Sequence, residues 1–548
     1  MTGTHNNGAE LTGGHSIAGE WRIGRGKPFC SVEAKTGTTL SPTFHEAGAA
    51  EVEMAVAAAK VAFQQTRSLP PVRRAEMLEA IAASIERRTD ALIARAAAES
   101  GLPEARLKSE LGRTIGQFHL FAGVVREGAW VDAVIDTADE ARLPLPKPDL
   151  RRMLRPLGPV VVFDASNFPF AYGVCGGDTA SALAAGCPVI VKSHPAHPGT
   201  GEIFAAAVAD ALENTGFPAG VFSLLQGAGI EIGALLTQHP DVEAVGFTGS
   251  LGAGRALFDL ASARTRPIPV YAEMGSVNPL VILPGALEER REAIIEGLTL
   301  SITAGGGQFC TKPGLVFYIG KDVGNSVTNN SVSDSGSSFV EALAARIASV
   351  PAITLLNAGI QKRFAQRLTE IAAIEEVDTK VAATCRGNAD SSPSLMIVDA
   401  AVWRRNPTLH EEAFGPAALL IRCRDTAELL NTLEYVSGQL TGTLHTGAND
   451  DPETVRAVAD MLEPRVGRLV FNGYPTGVEV GRAIIHGGPY PATTAAGTTS
   501  VGTAAILRFV RPVAYQNVPD TLLPPALQNA NPLGIRRTVD GQLTTAGI

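Results

Sequence analysis

Between residues 47 and 128 the apolar positions of the chain fall at helical spacing. Alanine, Val, Met, Leu and Ile recur on one face over 47–66 and 71–100, with Arg73, Arg74, Glu86, Arg87 and Arg88 on the other, which predicts amphipathic helices. Pro70-Pro71 separates the two and sets a proline at a helix start, while Gly101 and Pro103 stop the second. A third helix is expected at about 110–128. Residues 141–158 hold Pro144, Pro146 and Pro148 beside Arg151, Arg152 and Arg155. Proline cannot donate to a sheet ladder, so this stretch is expected to be an exposed arm or edge hairpin and not a central strand.

From residue 158 the period changes. Short apolar runs at 158–163, 188–192, 221–225, 242–247 and 268–272 alternate with helical patterns at 169–185, 200–214, 230–238 and 252–263. That alternation predicts an α/β unit, a parallel sheet wound with helices on both sides, which binds ligands at the carboxyl ends of its strands. Asn167, Lys192, the run Thr248-Gly249-Ser250 and Glu273 all follow the expected strand ends. A second α/β block spans about 285–475, with strands near 315–319, 395–398, 417–421, 441–444 and 468–471 and helices at 338–348, 358–374, 426–437 and 452–463. The polar run 323–338 is expected to be a surface loop, and 473–503 a long Gly/Thr/Pro loop. Residues 504–516 alternate as a strand which, with the 141–158 arm, forms an edge suited to completion by another subunit. The tail beyond Pro519 carries no strong pattern, and no internal repeat is visible.

Composition narrows the function classes. A chain of 548 residues has room for two or three domains, and its 45% hydrophobic and 18% charged content is that of a soluble globular protein. The net charge of −9 argues against nucleic acid or an anionic membrane as a partner. The six cysteines include no C-x-x-C pair, so neither a zinc cluster nor a disulfide framework is expected, and a reducing cytoplasm fits. No signal peptide is expected in the first twenty residues, and no apolar run nears the ~18 residues that span a bilayer.

The run Ala304-Gly305-Gly306-Gly307-Gln308-Phe309-Cys310-Thr311-Lys312-Pro313-Gly314 sets a lone thiol at the end of a glycine-rich loop. Its glycines let backbone amides approach a ligand closely, and Cys310 can present sulfur and amide to one small carbonyl. Two further glycine loops lie between strand and helix: Gly227-Ala228-Gly229-Ile230-Glu231-Ile232-Gly233, whose spacing is not the G-x-G-x-x-G fingerprint, and Gly246-Phe247-Thr248-Gly249-Ser250. His194 and His197 sit three apart without an acidic or thiol neighbour, so no metal site is expected there.

Together with Asn167, Lys192, Glu273 and Glu412, the Cys310 loop resembles the active-site segment of the aldehyde dehydrogenase superfamily, and the likeness runs from roughly residue 20 to the C-terminus. The resemblance implies that family's fold: a Rossmann-like doubly wound dinucleotide-binding domain from 20–140 and 159–284, a second α/β catalytic domain at 285–503, and a small oligomerisation arm with C-terminal segment from 141–158 and 504–548. It implies Cys310 as nucleophile, Asn167 with the Cys310 amide as oxyanion donors, and Glu273 as the base that hydrolyses the thioester; relatives that pass the acyl group to coenzyme A lack this glutamate. For the cofactor it implies Lys192 at the adenosine ribose, Gly246, Thr248, Gly249 and Ser250 as the cofactor loop, Glu412 at the nicotinamide ribose and Phe414 beside the nicotinamide. The choice of NAD or NADP stays open, because Pro195 stands where NAD-preferring relatives carry a glutamate and Ile230 where NADP-preferring relatives carry an arginine.

The runs Phe471-Asn472-Gly473-Tyr474-Pro475-Thr476-Gly477-Val478-Glu479-Val480, His486-Gly487-Gly488-Pro489-Tyr490-Pro491-Ala492-Thr493 and Asn531-Pro532-Leu533-Gly534-Ile535 resemble one branch, the 2-oxoglutarate semialdehyde (2,5-dioxovalerate) dehydrogenases of sugar-acid catabolism. The implied substrate is a five-carbon oxo acid with a terminal aldehyde. Arg482 is the candidate for its carboxylate. Phe170, Phe309 and Phe471 suit an apolar pocket, which keeps medium- or long-chain fatty and aromatic aldehydes as the alternative. Outside the class stand a cysteine hydrolase, for which none of the ten histidines lies in a comparable motif, and a catalytically inactive structural paralogue, against which the joint presence of Cys310, Glu273 and Asn167 counts. The expected assembly is a homodimer or homotetramer.

Overall fold

The computed structural model describes residues 11–320 and 335–548. Of the run expected as a surface loop at 323–338, all but the first turn of the helix Ser335–Ala348 lies outside the described residues, as do the first ten residues. Two seven-stranded sheets carry most of the chain.

In the first sheet the order is Val270–Glu273, Ala244–Thr248, Val160–Phe163, Val189–Lys192, Phe222–Leu225, His15–Ile17, Glu20–Arg22. The first five strands are parallel and the last two antiparallel. Strand side chains alternate between faces, and both faces are covered. Val160, Val162, Val189 and Val191 pack into one core with Leu78, Phe118 and Phe204. Val161, Phe163, Ile190, Val245 and Val270 enter another with Val56, Leu236 and Leu257. Burial on both sides is why these strands read as unbroken apolar runs. Strand order reverses between Val160–Phe163 and Ala244–Thr248, which opens a ligand crevice at their carboxyl ends.

The second sheet runs Asp378–Val381, Ser394–Asp399, Ala417–Cys423, Leu315–Ile319, Leu280–Ile282, Gln439–His445, Val466–Phe471, with only Asp378–Val381 antiparallel to its neighbour. Leu280–Ile282 and Asp378–Val381 were not anticipated from the pattern, being three and four residues long.

Several expectations need correcting. The helix expected at 71–100 is two, Pro71–Glu86 and Thr89–Ser100. The break falls at Arg88, whose backbone leaves the helical region at φ −106° and ψ 13° and whose guanidinium bonds to Ser84 and pairs with Asp210 of the helix Pro198–Thr215. The helix expected at 169–185 begins only at Gly177. Before it the chain folds so tightly that a Cβ on Gly173 would lie 2.0 Å from the Pro169 carbonyl oxygen. The arm at 141–158 contains an interior strand: Leu150–Pro156 pairs on one side with Val510–Gln516 and on the other with Val134–Asp136. Its prolines at 144, 146 and 148 precede the strand, which leaves the ladder amides of 150–155 intact. Two short strands of the tail, Arg537–Val539 and Gln542–Thr544, complete that five-stranded sheet. Of the strand expected at 504–516 only Val510–Gln516 is extended; Thr503–Phe509 is a 3-10 turn.

That turn is held by a buried ion pair, Arg508 Nη2 to Asp178 Oδ1 at 2.6 Å. Removing one partner of such a pair strands the other charge without water. Asp178→Ala is therefore expected to destabilise the protein by about 3–5 kcal/mol, read as a lowered midpoint in urea unfolding. A loss below about 1 kcal/mol would show the pair to be solvent-screened.

Candidate active site

The thiol loop lies between the helix Pro284–Thr303 and the strand Leu315–Ile319. Gly305, Gly306 and Gly307 take φ of +55°, +68° and +65°, a left-handed run that only glycine adopts cheaply. At Gly307 space forbids a side chain too, since a Cβ would lie 2.2 Å from the Gly415 carbonyl oxygen. Beyond the glycines, Asn278 clamps the nucleophile turn by donating from Nδ2 to the carbonyl oxygens of Cys310 (2.8 Å) and Lys312 (2.9 Å). Its Oδ1 accepts from Ser276 and Thr441, so the clamp is itself fixed.

A second segment comes to the thiol from far along the chain. The loop after residue 484 pairs with the end of strand Val270–Glu273: Met274 N donates to Ala492 O at 2.8 Å, Thr494 N to Ala272 O at 3.1 Å, and Glu273 bridges to Thr493. This pairing carries His486 and Ser500 to Glu273. Glu273 Oε2 stands 3.1 Å from His486 Nε2 and accepts from Ser500 Oγ at 3.3 Å. The same His486 nitrogen is 3.5 Å from Cys310 Sγ. Ligating atoms of Glu273, Cys310 and His486 all fall within 4.8 Å of one another.

Charge in this triangle is unevenly held. Burial pushes the Cys310 thiol well above its ordinary value and the Glu273 carboxylate adds to that, while Arg113 pulls the other way. Burial also raises Glu273, but the imidazole of His486, with the thiol and Ser500, outweighs it and holds this carboxyl below the usual range. The resting site is therefore a neutral thiol beside an ionised carboxylate, and the thiol's proton has an acceptor at hand.

Asn167 is brought to the same loop: its Nδ2 donates to Gln308 O at 2.9 Å, two residues before the thiol, and Arg106 holds its backbone by donating to Asn167 O at 2.9 Å. Arg106 also lies over the rings of Phe168 (5.0 Å) and Phe309 (4.7 Å). Phe309 thus lies in the wall of the site, edge-on to Phe168 at 5.1 Å. Three sequence candidates for the substrate pocket are placed elsewhere. Phe170 is fully buried in the first core, its ring 5.5 Å from Phe204, because Glu110 grips the amides of Phe170 and Ala171 and turns the side chain inward. Phe471 ends its strand half-exposed. Arg482 is a surface residue whose charge is taken by Glu127 at 2.5 Å.

Among the cofactor candidates, Lys192 ends its strand, with burial bringing its ammonium down to about 8 against the pull of Asp164 and Glu46. The Glu46 carboxylate lies close to Gly229, 3.1 Å from where a Cβ would stand. Thr248 ends its strand, Gly249 follows, and Ser250 caps the helix Leu251–Ser262 with its Oγ accepting from Ala253 N. Gly249 and Ser250 are exposed, as an anion-binding helix start requires. Gly246 is not in that loop. It sits inside strand Ala244–Thr248, where a Cβ would meet Asp178 Oδ2 at 2.8 Å, so glycine here serves packing against the helix Gly177–Ala185.

Glu412 stands over Gly275, its Oε2 2.9 Å from where a Cβ would be, with Phe414 two residues on. Lys312 is buried below, donating to Ala413 O at 3.1 Å and Ala417 O at 2.7 Å. Burial pushes Glu412 up and Lys312 down, each partly restored by the other. A lysine and an open helix start at strand ends, together with a carboxylate, are groups of the kind that hold the adenosine, pyrophosphate and second ribose of a dinucleotide. His194 and His197 turn to the protein: His197 Nε2 contacts Ala165 O at 3.0 Å and His194 Nδ1 accepts from Ala196 N.

Sequence reasoning missed His486, Ser500, Arg106, Asn278 and Lys312. His486 lay within a quoted motif, yet its partner Cys310 is 176 positions away, so no spacing links them. None of the ten histidines lies in a motif comparable to a cysteine hydrolase's, yet His486 reaches the thiol through the fold.

Residues 21–489 match the sequence model of the Aldehyde dehydrogenase family. The chain is 48% identical over 538 residues to alpha-ketoglutaric semialdehyde dehydrogenase 2 of Azospirillum brasilense, covering 97% of this chain and 99% of that protein. It is 41% identical over 548 residues to the alpha-ketoglutaric semialdehyde dehydrogenase of Acinetobacter baylyi, covering 99% of each. Among solved structures it resembles lactaldehyde dehydrogenase from Escherichia coli, with TM-score 0.78, 20% identity, and 92% of this chain and 98% of that one covered. A 1-pyrroline-5-carboxylate dehydrogenase variant from Thermus thermophilus gives 0.74 at 23% identity, with 92% of each covered.

The polarity of the triangle is open to measurement. Iodoacetamide alkylation of Cys310, followed by peptide mass mapping so that Cys30 and Cys385 are counted apart, is expected to keep rising above about pH 9 without a plateau. Glu273→Gln removes a negative charge that disfavours the thiolate, so the rise should move to lower pH. An unshifted profile would show that the thiol does not feel that carboxylate.

Proposed function

The chain belongs to the aldehyde dehydrogenase family, and on that premise we propose that it oxidises 2,5-dioxopentanoate to 2-oxoglutarate, with Cys310 as nucleophile, Glu273 as general base and Asn167 as oxyanion donor. The family's cofactor is NAD or NADP. The observation that carries the chemistry is the thiol, carboxylate and imidazole within 4.8 Å of one another. For the substrate, support comes from two relatives of that specificity aligned along nearly the whole chain.

Lys192 would hold the adenosine ribose, Gly249 and Ser250 the pyrophosphate, Glu412 the nicotinamide ribose, and Phe414 would pack beside the ring. When bound, the dinucleotide accepts a hydride. The remaining steps belong to this chain. The Cys310 sulfur adds to the aldehyde carbon as its proton passes to Glu273, directly or through His486 Nε2, which lies between them. One Asn167 amide proton is committed to Gln308 O, and the other, with the Cys310 backbone amide, is available to the oxyanion. Loss of one such donor typically costs ~2.7–4 kcal/mol. Once hydride has left carbon, a thioester remains on Cys310. Glu273, having first released to solvent the proton it took from the thiol, then takes a proton from water as the water oxygen attacks the acyl carbon, and the acid departs as the sulfur takes that proton back from Glu273. Ser500 and His486 keep Glu273 charged for that task. For the assembly, the outer strand Val510–Gln516 of the five-stranded sheet is the edge expected to meet a second copy in a homodimer or homotetramer.

Two measurements test this reading. Glu273→Gln should retain a burst of NAD(P)H absorbance at about one per active site, formed more slowly because the thiol's proton must then leave by His486 or water, and lose steady-state turnover by roughly a hundredfold, the usual worth of a general base; full steady-state turnover would remove Glu273 from the mechanism. In the unaltered protein kcat/KM for 2,5-dioxopentanoate should exceed that for hexanal, and a preference for hexanal by about tenfold, some 1.4 kcal/mol, would favour the fatty-aldehyde alternative.

A further inference from the structure

Resting on the oxo-acid reading, the geometry points to Arg113, assisted by the Tyr172 hydroxyl, as the anchor for the substrate's carboxylate. A five-carbon oxo acid held by its aldehyde at Cys310 must bury its far end nearby, and a carboxylate removed from water needs a cation and hydrogen-bond donors. Three other arginines in the region each hold a backbone carbonyl or a carboxylate, although Arg106 Nη1 and Arg468 Nε are also buried without a partner among the described residues. Arg106 donates to Asn167 O, Arg468 to the carbonyl oxygens of Pro475 and Gly477, and Arg482 pairs with Glu127 at the surface.

Arg113 differs. It projects from the helix Glu104–Glu127 to 5.9 Å over the Tyr172 ring, and among the described residues it makes no ion pair. Its Nε is buried without a hydrogen-bond partner there, and so is the Tyr172 hydroxyl, on a side chain only 9% exposed. Two buried donors without a partner, on side chains whose guanidinium carbon and ring centroid lie 5.9 Å apart, are rare in a native fold, where such groups are almost always paired. Both face the reaction centre. The Tyr172 ring is 6.1 Å from His486 and 5.5 Å from Phe168, and Arg113's charge acts on both the Cys310 thiol and the Tyr172 phenol. Around them Ala165, Phe168, Ala171 and Val501, with Phe309, make an apolar wall that suits the methylene carbons between the substrate's two ends. The guanidinium fork matches a carboxylate, and the phenol adds a third donor.

The test compares substrates and then removes turnover from the readout. Arg113→Gln should lower kcat/KM for 2,5-dioxopentanoate at least tenfold more than for hexanal, mainly through KM. Arg113→Lys, which keeps charge without the fork, should recover part of that difference, and Tyr172→Phe should give a smaller change of the same kind. Independently, glutarate should slow iodoacetamide alkylation of Cys310 in the unaltered protein and fail to do so in Arg113→Gln. Equal losses for both substrates, or unchanged glutarate protection in the variant, would overturn the anchor. If the unaltered protein itself prefers hexanal, the oxo-acid reading fails and the anchor with it; if it prefers the oxo acid and Arg113→Gln keeps that preference, the anchor alone fails.

Discussion

A carboxylate buried to 4% exposure is the constraint that organises this molecule. Left without partners, an ionised Glu273 would cost several kcal/mol and would sooner take up a proton. It stays charged because a loop from more than two hundred residues downstream lays its backbone along the end of strand Val270–Glu273 and delivers an imidazole and a hydroxyl. The loop is irregular, yet it is not free: its amides and carbonyls complete the strand's hydrogen bonding, and Thr499 Oγ1 accepts from the His486 amide at 2.9 Å. The ladder that satisfies the backbone also sets the electrostatics of Glu273.

The Cys310 thiol is positioned by a different device. Three successive left-handed glycines turn the chain out of the helix Pro284–Thr303, Asn167 holds the Gln308 carbonyl ahead of the thiol, and Asn278 holds those of Cys310 and Lys312. Asn278 itself takes φ +45°, a conformation that asparagine tolerates better than most residues. Fixing the backbone on both sides of Cys310 removes rotational freedom before any aldehyde arrives, which is the form of preorganisation a bimolecular addition gains most from.

What could be read from the sequence follows the range of the forces involved. The parallel strands were legible because burial on both faces writes itself as consecutive apolar residues, as in 160–163 and 189–192. The strand-end positions of Asn167, Lys192, Glu273 and the helix start at Ser250 followed from that, and the motif resemblance supplied the thiol and Glu412. Contacts decided by tertiary placement were not legible. Phe168 and Phe170 differ by two positions, and only the Glu110 grip on the following amides decides which faces the site and which enters the core. His486, Ser500 and Arg113 carry no local signature, since each reaches its partner through folds in the chain. Gly246 was assigned to a loop by its motif, whereas the strand continues through it to Thr248 because small size there relieves Asp178.

The approach of Gly307 to Gly415 has a mechanical corollary. Main chain rests directly on main chain there, with a space too small for one methyl group, and Lys312 ties the same two segments again a few ångströms away. The sulfur and the carboxylate at Glu412 are thus mounted on a single rigid block. Any displacement of one drags the other, so the separation of the Cys310 loop from the Glu412 segment is held by backbone, and drift in the surrounding side chains leaves it unaltered.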